Sequence, residues 1–245
     1  MPLRVTFIGH ASVLVSFNSA HFLFDPVFSE RIVFLKRRIP PGIRLEELPP
    51  LSGILISHGH YDHFDRWTLR QLAKTTPVIA ARGLGTHLKK LGFKTVYELS
   101  AWESTRLGSF AITATPAKHF GRQPFFHEIS DFIGFVLQNE KTVYFAGDTA
   151  YFEGFQQIGE RFLIDVALLP IGAYKPRKNL KKHMNPPDAL RAFKDLNARW
   201  MIPIHWGTFH LGWEGINAPA QWLERLLQKE ALPVRILKAG EWTEF

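Results

Sequence analysis

The chain has 245 residues, 46% of them hydrophobic and 21% charged, which is enough apolar material for a substantial core and excludes intrinsic disorder. Lys and Arg (30) outnumber Asp and Glu (22), a formal net charge of +8 that suits an anionic partner without choosing among nucleic acid, a membrane surface and a phosphorylated substrate. The absence of cysteine excludes disulfides, Cys nucleophiles and thiolate metal sites, so any metal must bind through His and carboxylate.

The first predicted elements are three short β-rich runs at 4–8, 12–17 and 21–24, the second followed by the turn pair Asn18-Ser19. The N-terminal residues enter this pattern with no apolar signal segment, which makes the cytoplasm the expected compartment. A long proline-rich connection follows, carrying Phe28, Ile32, Phe34 and Leu35. The apolar run 53–57 reads as a buried strand leading into a loop dense in His and Asp. Asp65 is placed to cap a helix over 66–73. Strands are expected at 78–81, 95–99, 104–107, 110–115 and 133–137, with a helix at 84–91.

The second half reads as strand 142–146, helix 152–161, strand 166–169, helix 187–196, strand 200–204 and helix 218–229. No apolar run approaches the ~18 residues that span a bilayer. Strands followed by alternating strands and helices imply a layered α/β fold, and no repeat or linker divides residues 1–245, so one domain is expected.

The chemistry concentrates in His58-Gly59-His60-Tyr61-Asp62-His63, three imidazoles and a carboxylate immediately after a strand. These are ligands for zinc, manganese or iron, and the spacing lets His58 and His60 grip one ion while Asp62 and His63 face another. His119, Asp148 and His205 each follow a strand-like run as well. Taken singly each is a common strand-end polar residue; together with the loop they supply about the number of ligands a dinuclear site needs.

With these residues in view the chain resembles metallo-β-lactamase-fold hydrolases, whose signature is H-x-H-x-D-H plus a distal His, Asp and His. Phe7-Ile8-Gly9-His10-Ala11-Ser12, Asp25-Pro26-Val27-Phe28-Ser29, Glu47-Leu48-Pro49-Pro50, the 57–65 loop, Pro170-Ile171-Gly172-Ala173-Tyr174-Lys175-Pro176-Arg177, His183-Met184-Asn185-Pro186 and Ile204-His205-Trp206-Gly207-Thr208-Phe209 resemble the N-acyl-phosphatidylethanolamine-hydrolysing phospholipase D family. The resemblance implies a four-layer αββα sandwich over residues 1–245 with the site at one edge of the two sheets. It implies two divalent ions, zinc first among them, with His58, His60 and His119 on one, Asp62, His63 and His205 on the other, and Asp148 bridging. The implied reaction is hydrolysis of a small or lipid-like phosphodiester by a hydroxide held between the metals, whose pKa falls toward ~7.

By the same resemblance Asp62 and His183 are catalytic, while His10 and Asp25 orient the ligands. Lys175, Arg177 and their basic neighbours supply positive potential for an anionic substrate, and transient contact with a membrane surface is expected. The family's usual Trp-Ser after the third His is Phe120-Gly121 here, and its Leu-Trp before the next strand is Asp131-Phe132. Phe28, Phe34, Leu35, Phe125 and Phe126 are candidates for an apolar mouth or for core. The competing readings are a lactonase of the ascorbate-phosphate lactonase type and, against it, a nucleic-acid-processing enzyme, for which no large inserted domain is visible. A non-catalytic binding protein is disfavoured by the complete set of seven ligand positions.

Overall fold

The computed structural model describes residues 2–121 and 130–245. The chain opens as a meander, β1 (Leu3–Gly9), β2 (Ser12–Phe17) and β3 (Ala20–Phe24), in which Asn18 at φ 51° turns the tight β2–β3 corner. Asn is at home in this left-handed conformation, the one two-residue hairpin loops require. The proline-rich connection then carries a hairpin absent from the sequence expectation, β4 (Arg31–Ile32) and β5 (Leu35–Lys36).

β6 (Gly53–Ile56), α1 (Arg66–Gln71), β7 (Val78–Ala81), α2 (Gly85–Lys90) and β8 (Val96–Leu99) form two parallel crossovers alongside β3. Asp65 caps α1 as expected, accepting from the Trp67 amide at 3.1 Å. β9 (Ser104–Leu107), β10 (Phe110–Pro116), β11 (Ile133–Gln138) and β12 (Thr142–Phe145) are antiparallel neighbours. α3 (Gly154–Arg161), β13 (Val166–Pro170), α4 (Pro186–Asp195) and β14 (Trp200–Ile204) then add two parallel crossovers. The chain finishes with α5 (Ala218–Leu227) and β15 (Trp242–Glu244).

Two sheets result, β15-β1-β2-β3-β6-β7-β8 and β14-β13-β12-β11-β10-β9. The period-two alternation of the second sheet shows how its residues divide. Phe135, Leu137, Val143, Phe145, Val166, Leu168, Ile202 and Ile204 point into the core shared with the first sheet. Val136, Tyr144, Ala167, Leu169 and Met201 face the other way, onto Phe155, Ile158, Leu190, Phe193 and Leu223 of α3, α4 and α5. Phe24 meets Phe145 across the sandwich at 5.0 Å, and Phe22 meets Phe110 at 4.7 Å. Leu69 of α1 and Leu88 of α2 close the outer face of the first sheet. The architecture is the expected α/β sandwich of four layers, αββα. No helix among the described residues is long and apolar enough to cross a membrane.

Candidate metal centre

β1, β3, β6, β10, β12, β13 and β14 all end at the same edge of the sandwich, and each delivers a polar residue there. His10 follows β1, Asp25 follows β3, the His58–His63 loop follows β6, and His119 follows β10; Asp148 follows β12, His183 comes after β13, and His205 follows β14. Ligands of open α/β sheets gather at such strand ends. His10, Asp25 and His205 stand at φ 59°, 37° and 60°, a left-handed backbone that costs non-glycine residues on the order of 1–3 kcal/mol each. The His205 amide donates to the His10 carbonyl at 2.7 Å, which locks two of these bends together.

Two groups of donors converge. In the first, His60 Nδ1 lies 2.9 Å from His58 Nε2 and 3.2 Å from His119 Nε2, and Asp148 Oδ2 is 3.7 Å from His119 Nε2. Ligand nitrogens on a tetrahedral zinc at ~2.0–2.1 Å stand about 3.3 Å apart, so this spacing suits one cation. In the second, Asp62 Oδ2 lies 3.6 Å from His63 Nε2 and 3.4 Å from His205 Nε2, and Asp148 faces both imidazoles, at 3.3 Å through Oδ2 and 3.1 Å through Oδ1. His58, His60, His119 and Asp148 bring their donor atoms within 4.8 Å of one another, as do His10, Asp62, His63 and His205. His63 Nε2, His205 Nε2 and Asp148 Oδ1 are buried and lack hydrogen bonds although they face one another. Buried polar atoms are rarely left so, and their convergence fits a cation.

The outward-facing atoms of the imidazoles are tied down. His63 Nδ1 donates to Asp25 Oδ2 at 2.6 Å, and His119 Nδ1 donates to the Lys182 carbonyl at 2.7 Å. His58 Nδ1 is 2.9 Å from Ser57 Oγ, which itself donates to Asp25 at 2.6 Å. These bonds place the Nε2 lone pairs of His58, His63 and His119 inward. His10 Nε2 sits 3.0 Å from Asp62 Oδ2. Burial and the neighbouring His205 push His10 down to about 3, so it is neutral and serves as a hydrogen-bond donor to Asp62.

Charge is distributed accordingly. Burial alone would raise Asp148, but the imidazoles of His205 and His63 hold it well below the usual carboxylate range. Asp62 is likewise lowered, against its burial, by His63 and His10. Burial would lower His205, yet Asp148 and Asp62 lift it to about 9, and His63 is raised well above its ordinary value by Asp148, Asp62 and Asp25. By contrast burial keeps His58 and His183 well below that value, and His119 at about 4. A cation that takes the Nε2 of His205 at pH 8 must therefore displace a proton. Metal binding is expected to release protons at pH 8 and to weaken as the pH falls below 9, by up to about tenfold per pH unit for each proton displaced. Calorimetric titrations in buffers of different ionisation enthalpy read this directly; affinity independent of pH with no proton release would contradict it.

The structure thus brings together all seven residues expected as ligands, with His183, His10 and Asp25 around them. Sequence reasoning missed three supports. Phe132 packs edge-on or tilted against His58, His60 and His119 at 5.0–5.5 Å, a position known from sequence only as a departure from the family pattern. Ser57 links His58 to Asp25, and the Lys182 backbone orients His119, for which no side chain could give a signal. Gly121 approaches so closely that a Cβ there would stand 2.7 Å from His60 Nε2. Of the residues expected at an apolar mouth, Phe28 is core, Leu35 is half-buried and Phe34 is exposed, while Phe125 and Phe126 lie outside the described residues.

A Beta-lactamase superfamily domain matches residues 20–206, and the chain belongs to that superfamily. It is 33% identical to a UPF0173 metal-dependent hydrolase of Exiguobacterium over 84% of this chain and 87% of the relative, and with the clustered His and Asp this defines it as a metal-dependent hydrolase. It is also 36% identical to the N-acyl-phosphatidylethanolamine-hydrolyzing phospholipase D 1 of Caenorhabditis elegans over 86% of this chain, spanning 65% of that protein's length. Among solved structures, Igni18, a metallo hydrolase of Ignicoccus hospitalis, superposes with a TM-score of 0.78 at 24% identity, covering 100% of this chain and 99% of that one.

Proposed function

We propose that this hydrolase is a dinuclear phosphodiesterase of phospholipase D type. In this reading His58, His60 and His119 hold one ion, Asp62, His63 and His205 hold a second, and Asp148 serves both. Asp148 carries the reading: it is buried, and its two oxygens are turned toward imidazoles of both groups. Zinc suits this donor set best, and manganese and iron accept the same ligands. A pair of divalent ions there would supply the Lewis acidity that activates water near neutral pH and compensates charge on attacking and leaving oxygens.

The chain's own groups position the substrate. His183 Nδ1 lies 3.7 Å from Asp148 Oδ2, buried and without a hydrogen bond, and its ring stacks over His205 at 5.5 Å. Burial keeps it neutral, so it acts as a hydrogen-bond donor to a phosphoryl oxygen more readily than as a proton source. Lys175, Arg177, Lys178 and Lys181 are exposed on the segment that leads into His183, where they favour an anionic, phosphorylated substrate. The phospholipase relative supports a lipid-like one, and in this reading that substrate is met by transient contact with a membrane surface. His183→Ala is expected to lower kcat by about 10²–10³-fold while the metal content stays at its wild-type value; unchanged turnover would remove His183 from the mechanism.

Mass-spectrometric product analysis tests the reaction. Metal-loaded protein mixed with N-acyl-phosphatidylethanolamine is expected to give phosphatidic acid and N-acylethanolamine. Cleavage of small phosphodiesters alone would retain the bond type and discard the lipid, and opening of lactones with phosphodiesters untouched would overturn the phosphodiesterase reading.

A further inference from the structure

Four two-residue hairpin loops occur among the described residues; one, His10-Ala11 between the paired Gly9 and Ser12, is buried beside the metal centre, and comparing the other three isolates one. Phe17 pairs with Ala20 across Asn18-Ser19, Leu107 pairs with Phe110 across Gly108-Ser109, and Ile32 pairs with Leu35 across Val33-Phe34. The first loop residue has φ 51° in Asn18, 57° in Gly108 and 53° in Val33. Asn and Gly are the residues such loops favour, whereas a β-branched side chain at positive φ is strained. Val33 gains nothing from burial in return, being 62% exposed, and the adjacent Phe34 is 80% exposed. The hairpin's one registered pair beyond Ile32 and Leu35 sets Arg31 directly opposite Lys36, like charges that repel. Neither makes a salt bridge among the described residues, and Arg38 is exposed beside them, with Glu30 the one nearby carboxylate in 30–38.

The hairpin is nonetheless firmly seated on the rim of the metal centre. Ile32 packs with Val27 and Phe209, and Leu35, Tyr61 and Leu211 pack against them. Phe209 sets its ring edge-on to His10 at 5.4 Å, while Arg37 donates to the carbonyls of Ser29 and Val27 and stacks over Phe209. Past Leu211, Trp213 is 78% exposed and its amide donates to the Lys175 carbonyl. An apolar tip ringed by unpaired cations, with an exposed Trp two residues past the Leu211 that packs beneath it, has the chemistry of a device for entering the headgroup region of an anionic bilayer.

We propose that the β4–β5 hairpin docks the metal centre onto anionic lipid surfaces, inserting Val33 and Phe34 while Arg31, Lys36 and Arg38 meet the headgroups. The proposal deepens the lipid-like substrate reading by naming the surface on which substrate is met, and its test measures binding without turnover, so the two can fail separately. The full-length protein is sedimented with vesicles of phosphatidylcholine containing phosphatidylglycerol, and with phosphatidylcholine alone, at low and high salt. Binding is expected to the anionic vesicles alone and to fall at least about tenfold on raising the salt. Val33→Asn/Phe34→Ser is expected to lose vesicle binding by about tenfold or more while its thermal midpoint rises, because Asn tolerates the loop conformation. Arg31→Gln/Lys36→Gln is expected to weaken binding several-fold with no loss of thermal stability. Metal content equal to wild type verifies the folded site in both variants. Wild-type protein that ignores anionic vesicles, or variants that bind them undiminished, would overturn the proposal. So would a concentration-dependent dimer that dissolves in Val33→Asn/Phe34→Ser, which would make the tip a contact between copies.

Discussion

Asp148→Asn is expected to reduce phosphodiester turnover on the order of 10³-fold or more, about 4 kcal/mol of lost transition-state stabilisation, and to lower metal content in the same preparation. The substitution keeps the volume of the side chain but removes its charge and turns one oxygen into an amide. Asp148 faces His119 at 3.7 Å, His63 at 3.3 Å and His205 at 3.1 Å, so both donor groups lose their common anion at once. His205, lifted to about 9 against its burial chiefly by Asp148, should titrate at lower pH in the variant. Elemental analysis alongside kcat/KM checks the prediction. Full metal content with full turnover would show that the shared carboxylate is dispensable.

The largest effect on stability is expected at a residue that faces no substrate. Asp25 is fully buried and accepts three hydrogen bonds, from the Ser57 amide at 2.7 Å, Ser57 Oγ at 2.6 Å and His63 Nδ1 at 2.6 Å. Asp25→Ala leaves those donors buried without an acceptor, one of them on an imidazole that burial would otherwise neutralise. Breaking a buried pair in this way costs about 3–5 kcal/mol, roughly 6–20 °C in the thermal midpoint of a chain this size. Metal affinity should fall a further 10–100-fold, because His63 loses the bond that fixes its tautomer. Asp25→Asn, which keeps the shape but presents one NH₂ to these donors, should fall between wild type and Asp25→Ala. A midpoint shift under about 2 °C in Asp25→Ala would contradict the arrangement.

How much of this could be seen in the chain alone follows from where the signals sit. The six-residue loop from His58 to His63 is contiguous, and its spacing anticipates the division in which His58 and His60 join one group and Asp62 and His63 the other. His119, Asp148 and His205 were findable because each follows a strand whose apolar pattern is plain, although only the fold shows that seven strands end at one edge. Helix limits moved by a residue or two: the expected 66–73 ends at Gln71, and 218–229 ends at Leu227. The elements that escaped notice are those with the least local signal. β15 has three residues and exists through pairing with β1, some 240 positions away, while β4 and β5 have two residues each, half of them charged. The Lys182 carbonyl and the packing of Phe132 on three imidazoles depend on placement, which residue type does not encode.

The most direct measurement is a titration of chelator-treated protein with a divalent ion, zinc first, following bound metal by elemental analysis and hydrolysis of a chromogenic phosphodiester in parallel. The account predicts two ions per chain, with turnover rising as the second is taken up, and loss of both when chelator is restored. Full turnover at a single ion, or hydrolysis that survives removal of metal, would contradict it.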